Sequence, residues 1–210
     1  MPTTFWLVRH GETLWNTERR LQGWQDLSLN PAGVAQARQL EAWLRSPHFD
    51  APIERIVTSD LARARQTAEI ASSHWRLPIE RLAMLRERHF GSYEGQPLDA
   101  LRNPQGQPVG FHALDDGMEG GESLGEFRRR IQQAFEQLAQ AHPAQHLLVF
   151  SHGGVIDMAW RLATGADSTV PGPRLIINTS INQFLIDTQC AWTLGQWGVC
   201  GHLEPGVGGL

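Results

Sequence analysis

The sequence predicts an α/β fold, a mostly parallel sheet with helices packed against it. Short apolar runs alternate with longer stretches in which apolar residues recur at helical spacing, the pattern that builds such a sheet. Two of those runs end alike, in Val8-Arg9-His10-Gly11 and Phe150-Ser151-His152-Gly153, as strands do when they feed one edge of an open sheet. No internal repeat or low-complexity linker divides the chain, so one domain is expected over 1–210, with a loop-rich cap inserted at about 95–121.

The elements follow in order. Residues 5–8 read as the first strand. Asn30-Pro31 starts a helix whose apolar side carries Val34, Ala37, Leu40, Ala42 and Leu44, and which ends before Pro47. Residues 53–58 are a second strand, and Ser59-Asp60 is the expected cap of a helix over 61–72 that bears Arg63 and Arg65 near its start. Residues 78–85 are a weaker strand. Periodicity then fails from 95 to 121, where glycine, proline and amide side chains dominate. A long helix over 122–141 has Leu124, Phe127, Ile131, Phe135 and Leu138 in register. A strand at 146–150, a helix at 155–163 opened by Gly153-Gly154, and a strand pair at 176–187 and 191–197 complete the fold, with a glycine-rich tail.

Composition narrows the function. The net charge of -4 and the absence of any basic block argue against nucleic acid or an anionic membrane as partner, though a few arginines in one cleft would suit a small anion. The N-terminus lacks a basic lead and the run 5–8 is too short for a signal peptide or a span, so a soluble, cytoplasmic protein is expected. Cys190 and Cys200 are too sparse for a disulfide framework and read as free thiols. Despite nine histidines, no metal-binding spacing such as HExxH or Cys-x-x-Cys occurs, and no metal is expected. The tryptophans Trp6, Trp43, Trp160 and Trp192 fall within expected elements and read as core or interface.

The chemistry rests on the paired histidines. If their strands are neighbours, His10 and His152 project into one crevice beyond the carboxyl ends of the sheet. A lone histidine there would more often cap its own strand; a matched pair is the informative feature. Without a metal, a neutral imidazole can attack phosphorus and hold the phosphoryl group covalently. The phosphoryl oxygens then need fixed positive charge, for which the planar guanidinium suits, and Arg9 and Arg63 are placed for it. A helix N-terminus adds free amide donors. One carboxyl group can donate the proton to the leaving oxygen and then accept one from water; Glu87 is the candidate, its alternative being a surface glutamate paired with Arg86 or Arg88.

Five ordered blocks carry a resemblance. Arg9-His10-Gly11-Glu12-Thr13 with Asn16, Gln22-Gly23 and Leu29-Asn30-Pro31-Ala32-Gly33 resemble the opening of the histidine phosphatase superfamily, in its phosphoglycerate mutase-like branch. The segments 59–68, 87–95, 121–123 and 151–154 resemble its later motifs. The resemblance implies a three-layer α/β/α sandwich, no cofactor, His10 as the phosphorylated nucleophile and Glu87 as the proton donor. It implies Arg9, Arg63 and His152 as holders of the phosphoryl group, with Asn16, Gln22, Gly23 and the Gly153 amide lining the pocket.

Within that resemblance, Glu87-Arg88-His89 is similar to the mutase form, while Phe90-Gly91-Ser92-Tyr93-Glu94-Gly95 is similar to the phosphatase form. Between 96 and 121 there is one arginine, Arg102, against Asp99, Asp115, Asp116 and Glu119, a poor match for a doubly phosphorylated ligand. The expectation is a metal-independent phosphomonoesterase acting on a small phosphorylated metabolite. A cofactor-dependent phosphoglycerate mutase, a phosphoprotein phosphatase and a phosphate-binding regulatory protein stay open, as does a homodimer. Phe111, His112, Leu114 and Met118 would form an apolar wall of the cap or its packing surface, and Arg19, Arg20, Arg86 and Arg88 either meet a second anionic group of the substrate or are solvated charge.

Overall fold

The computed structural model describes residues 1–102, 119–167, 170, 172 and 176–203. Among the described residues six strands form one sheet: β1 (Thr3–Arg9), β2 (Arg55–Thr58), β3 (Ile79–Arg81), β4 (His146–Ser151), β5 (Ile181–Ile186) and β6 (Trp192–Leu194), in the order β3-β2-β4-β1-β5-β6. The strands β3, β2, β4 and β1 run parallel, while β5 is antiparallel to β1 and β6 to β5. The helices are α1 (Leu14–Thr17), α2 (Pro31–Leu44), α3 (Ala62–Ala71), α4 (Leu124–Ala141) and α5 (Gly153–Thr164).

The three layers follow from the alternation of side chains along the central strands. Phe5, Leu7, Leu147 and Val149 pack with Phe127, Ile131 and Phe135 of α4 and Val155 and Met158 of α5 on one face. Trp6, Val8, Leu148 and Phe150 pack with Leu40 and Leu44 of α2 and Ala68 and Ala71 of α3 on the other. Both faces of β1 and β4 are thus dry, which explains why these strands read as unbroken apolar runs. Each fully buried leucine or phenylalanine here contributes about 1.5–3 kcal/mol. A smaller cluster of Leu21, Phe90 and Leu101 sits at the carboxyl edge of the sheet.

Several elements differ from the sequence expectation. The strand expected over 78–85 is only Ile79–Arg81, followed by a 3₁₀ turn at Ala83–Leu85 whose last carbonyl accepts the Ser151 hydroxyl at 2.7 Å. The strand expected from 176 begins at Ile181, because Thr179 adopts a left-handed φ of 61° and breaks the extension. The long helix begins at Leu124, with a capping box between Ser123 and Glu126. Ser59 and Asp60 do not cap α3 through the helix N-cap position, which is Leu61 and has no side-chain cap. The Oδ1 of Asp26 accepts the Ala62 amide instead, at 2.6 Å. The short α1 was hidden in sequence by its brevity. The stretch 103–118, with Phe111, His112, Leu114, Asp115, Asp116 and Met118, and the tail at 204–210 lie outside the described residues.

Candidate active site

The site begins where β1 and β4 end. The two strands pair in parallel with Val8 opposite Phe150 and Arg9 opposite Ser151, and the His10 amide donates to the Ser151 carbonyl at 2.9 Å. His10 and His152 therefore leave adjacent strands at the same level, with ring centroids 5.3 Å apart and both side chains buried. The backbone around His10 is held from both sides: Asn178 Nδ2 donates to the His10 carbonyl at 2.8 Å, and the Gly11 amide donates to Thr67 Oγ1 at 2.9 Å.

One contact sets the chemistry of His10. Its Nδ1 lies 2.7 Å from the Gly11 carbonyl oxygen, which can only accept. Nδ1 therefore carries the proton, and Nε2 keeps its lone pair. Burial, reinforced by the charges of Arg63 and Arg9, holds the His10 pKa well below 6.5, so the ring is neutral at neutral pH. His152 is likewise held well below that value, by burial first and then by Arg63.

Cationic donors surround this pair. Arg63, in the first turn of α3, is fully buried and donates through its terminal nitrogens to the carbonyls of Gln25 at 2.8 Å and Gly23 at 2.7 Å. Burial lowers its pKa to about 10, against the opposing pull of Glu87, Asp26 and Glu94, so it stays charged. Arg9 donates to the Ile176 carbonyl at 2.7 Å. The Nε of Arg9, the Nε of Arg63 and the Nδ1 of His152 are buried with no hydrogen-bond partner among the described residues. Leaving such groups unpaired costs about 1–3 kcal/mol each, and three of them around one imidazole form a cradle suited to an anion.

The loop carrying Gln22 and Gly23 forms the side of the cradle. Gly23 has φ 52°, and a Cβ there would collide with the Glu94 carboxylate. That buried carboxylate accepts the amides of Trp24 at 2.8 Å and Phe90 at 3.1 Å, tying residues 22–25 to 90–95. Asn16 spends its carbonyl oxygen on the amide and hydroxyl of Thr13, both at 3.0 Å, so its NH2 is what it can offer a ligand.

Glu87 stands opposite. Its Oε2 accepts the Gly154 amide at 3.0 Å and its Oε1 accepts the Arg88 amide at 2.9 Å. A Cβ on residue 154 would collide with Oε1, so glycine is what allows this approach. The turn bearing Glu87 is braced from below: Arg130 donates to the carbonyls of Met84, Arg86 and Glu87 at 2.6, 3.0 and 3.1 Å and pairs with both oxygens of Glu122 at 2.7 Å. Trp24 Nε1 adds a bond to the Glu87 carbonyl at 2.7 Å. The alternative pairing of Glu87 with the side chain of Arg86 is not seen, since Arg86 forks onto Asp60 at 2.6 and 2.7 Å.

Above these groups opens a cavity of about 620 Å³. All the sequence-predicted positions except His152 line it: Arg9, His10, Asn16, Gln22, Gly23, Arg63, Glu87 and Gly153. His152 lies just behind, fully buried. The amino end that opens on the cavity is that of α5, at Gly153 and Gly154, rather than that of α3, which Asp26 closes. Trp15, Leu21, Phe90, Leu98 and Ile176 add an apolar wall to the lining.

Of the four arginines open in sequence, Arg86 is committed to Asp60 and Arg88 is buried with Nε on the Glu122 carbonyl. Arg20 is bound to Glu18 and the Gly95 carbonyl at 2.8 and 2.9 Å. Arg19 lines the cavity, and no ion pair forms at its guanidinium among the described residues. Its backbone is left-handed, φ 53°, pinned by the Leu98 amide on its carbonyl at 2.7 Å.

Glu94, Arg130, Gly154 and Asn178 were missed in sequence. Glu94 and Gly154 stand inside recognised motifs, which was the one available signal. Arg130 and Asn178 reach the site through tertiary contacts and left no local signature. Among the described residues no group of three or more His, Cys, Asp or Glu side chains could hold a metal ion, and no helix is long and apolar enough to cross a membrane.

The profile of the histidine phosphatase superfamily (branch 1) matches residues 5–199. Phosphoglycerate mutase-like protein 4 of Arabidopsis thaliana is 35% identical over 203 residues, covering 94% of this chain and 86% of its own. The metal-independent phosphoserine phosphatase of the same plant is 32% identical over 204 residues, covering 94% and 82%. The structure of Bacillus stearothermophilus YhfR superposes with a TM-score of 0.81 at 30% identity, covering 96% of this chain and 100% of its own.

Proposed function

The chain belongs to the histidine phosphatase superfamily, and from that premise we propose that it is a phosphomonoesterase hydrolysing a small phosphorylated metabolite through a phosphohistidine. The observation that carries this reading is the His10 Nδ1 contact with the Gly11 carbonyl, which leaves Nε2 unprotonated beneath a cavity ringed by guanidinium groups.

In the first step the Nε2 lone pair of His10 forms a bond to phosphorus as the bond to the leaving oxygen breaks, and protonated Glu87 gives its proton to that oxygen. In the second, the Glu87 carboxylate takes a proton from water while the water oxygen attacks phosphorus and releases His10. Arg9, Arg63 and His152 hold the phosphoryl oxygens, with Asn16, Gln22, Gly23 and the Gly153 amide completing the pocket. No cofactor enters, and the protein acts in the cytoplasm, a placement supported by its free thiols Cys190 and Cys200.

Hydrolysis is favoured over mutase action by the fate of the one arginine between 96 and 121. Arg102 turns back onto the carbonyls of Asp99 and Leu101, both at 2.9 Å, rather than toward the cavity. The test is a pulse with a phosphomonoester. Acid-labile, base-stable label should appear on the protein, vanish in His10→Ala, and discharge to inorganic phosphate; transfer to phosphoglycerate instead would establish the mutase.

A further inference from the structure

We propose that Ser59 is a positioning residue that fixes His152 as its Nδ1–H tautomer, leaving Nδ1–H as the donor to a phosphoryl oxygen. The inference rests on the phosphohistidine reading of the site. In sequence Ser59 reads as a helix cap, a role the structure gives to Asp26. The pairing of β2 with β4 explains where it goes instead. Thr58 stands opposite Phe150 and the Ser59 amide donates to the Phe150 carbonyl at 2.9 Å, so Ser59 leaves β2 beside the point where His152 leaves β4.

The Nε2 of His152 is 2.8 Å from Ser59 Oγ, and both residues are fully buried. Counting donors decides the direction of that bond. Ser59 Oγ already accepts the Leu61 amide at 3.4 Å, and its own proton has no acceptor among the described residues other than His152 Nε2. With the hydroxyl donating, Nε2 accepts, Nδ1 carries the ring proton, and the single unmatched group is Nδ1–H.

The opposite tautomer leaves two buried groups unmatched, the serine proton and an Nδ1 lone pair. It would also set that lone pair against the anionic oxygen that His152 is read as holding. Leaving a buried polar group unmatched is costly, so the first arrangement is preferred before a ligand arrives and preferred further once one does. Burial beside Arg63 keeps the ring neutral, so the tautomer rather than the charge is what Ser59 controls. The same logic sets the two histidines apart: a backbone carbonyl holds His10 as nucleophile, and a hydroxyl holds His152 as donor.

The test combines a spectroscopic and a kinetic readout on the full chain. In ¹⁵N-histidine-labelled protein without ligand, the His152 proton should reside on Nδ1, and in Ser59→Ala it should redistribute toward Nε2. The same substitution should weaken orthovanadate binding and lower kcat about 10- to 100-fold for activated and unactivated esters alike, while Ser59→Thr restores both. Wild-type protein protonated at Nε2 of His152, or folded Ser59→Ala with kcat and vanadate affinity within twofold of wild type, overturns the proposal. Wild-type protein that neither turns over nor labels would overturn the phosphohistidine reading instead. The tautomer measurement, which needs no turnover, still decides the role of Ser59.

Discussion

The Nδ1 of His10 lies 2.7 Å from the carbonyl oxygen of Gly11, the next residue in the chain. A five-membered ring thus turns on its own backbone to expose the opposite nitrogen. The geometry survives only while Gly11 is pinned, here by its amide bond to Thr67 Oγ1. His10→Ala is expected to lower kcat by at least about four orders of magnitude with the thermal midpoint little changed, read by steady-state kinetics beside a melting curve. Thr67→Val should cost less, about tenfold, by loosening the Gly11 carbonyl.

Glu87→Gln should slow esters with poor leaving groups by about 10²- to 10⁴-fold and activated aryl phosphates far less, because only the former need a strong general acid. Gly154→Ala should mimic it, since the added methyl displaces the Glu87 carboxylate. Equal losses on both substrate types would assign Glu87 a structural role.

The response to pH follows from the buried histidines. His10 and His152 have folded pKa values well below 6.5, so below pH 6.5 the unfolded chain binds more protons than the native one. Stability is therefore full above that pH and declines as pH falls through the depressed folded values, at about 1.4 kcal/mol per pH unit for each histidine. His202, lowered to about 4 by burial, adds to the slope. Urea titrations across this range should show it, and His10→Ala should flatten it. The same depression keeps His10 unprotonated in mild acid, so its protonation should place no break in kcat/KM at pH 6.5.

Arg19→Ala should leave a simple aryl phosphate unaffected and lower kcat/KM about tenfold for substrates whose leaving group carries a carboxylate or second phosphate. The motive is that Arg19 lines the cavity while Arg20 and Arg86 are already paired. Uniform losses would show that Arg19 only shapes the mouth.

Excess chelator is expected to leave turnover unchanged, because guanidinium groups supply the charge that a metal would otherwise supply. A loss restored by added divalent metal in a phosphatase assay would contradict the mechanism.

The class of fold, the pair of strand-end histidines and the family resemblance are legible in the residues alone. These are local signals: an apolar run bounded by Arg9-His10-Gly11 reads as a strand end whatever surrounds it, and α2 and α4 announce themselves by periodicity and caps. Which donors are spare depends on the packed chain. No spacing in sequence shows that β2 enters the sheet beside β4 and so brings Ser59 to His152, or that Arg130 reaches three carbonyls beneath Glu87. Nor does spacing distinguish Arg19 from Arg86. Pairing is long-range and competitive. A buried polar atom takes whichever partner the packed chain presents, so the protonation pattern of the site became legible only once the strands were in register.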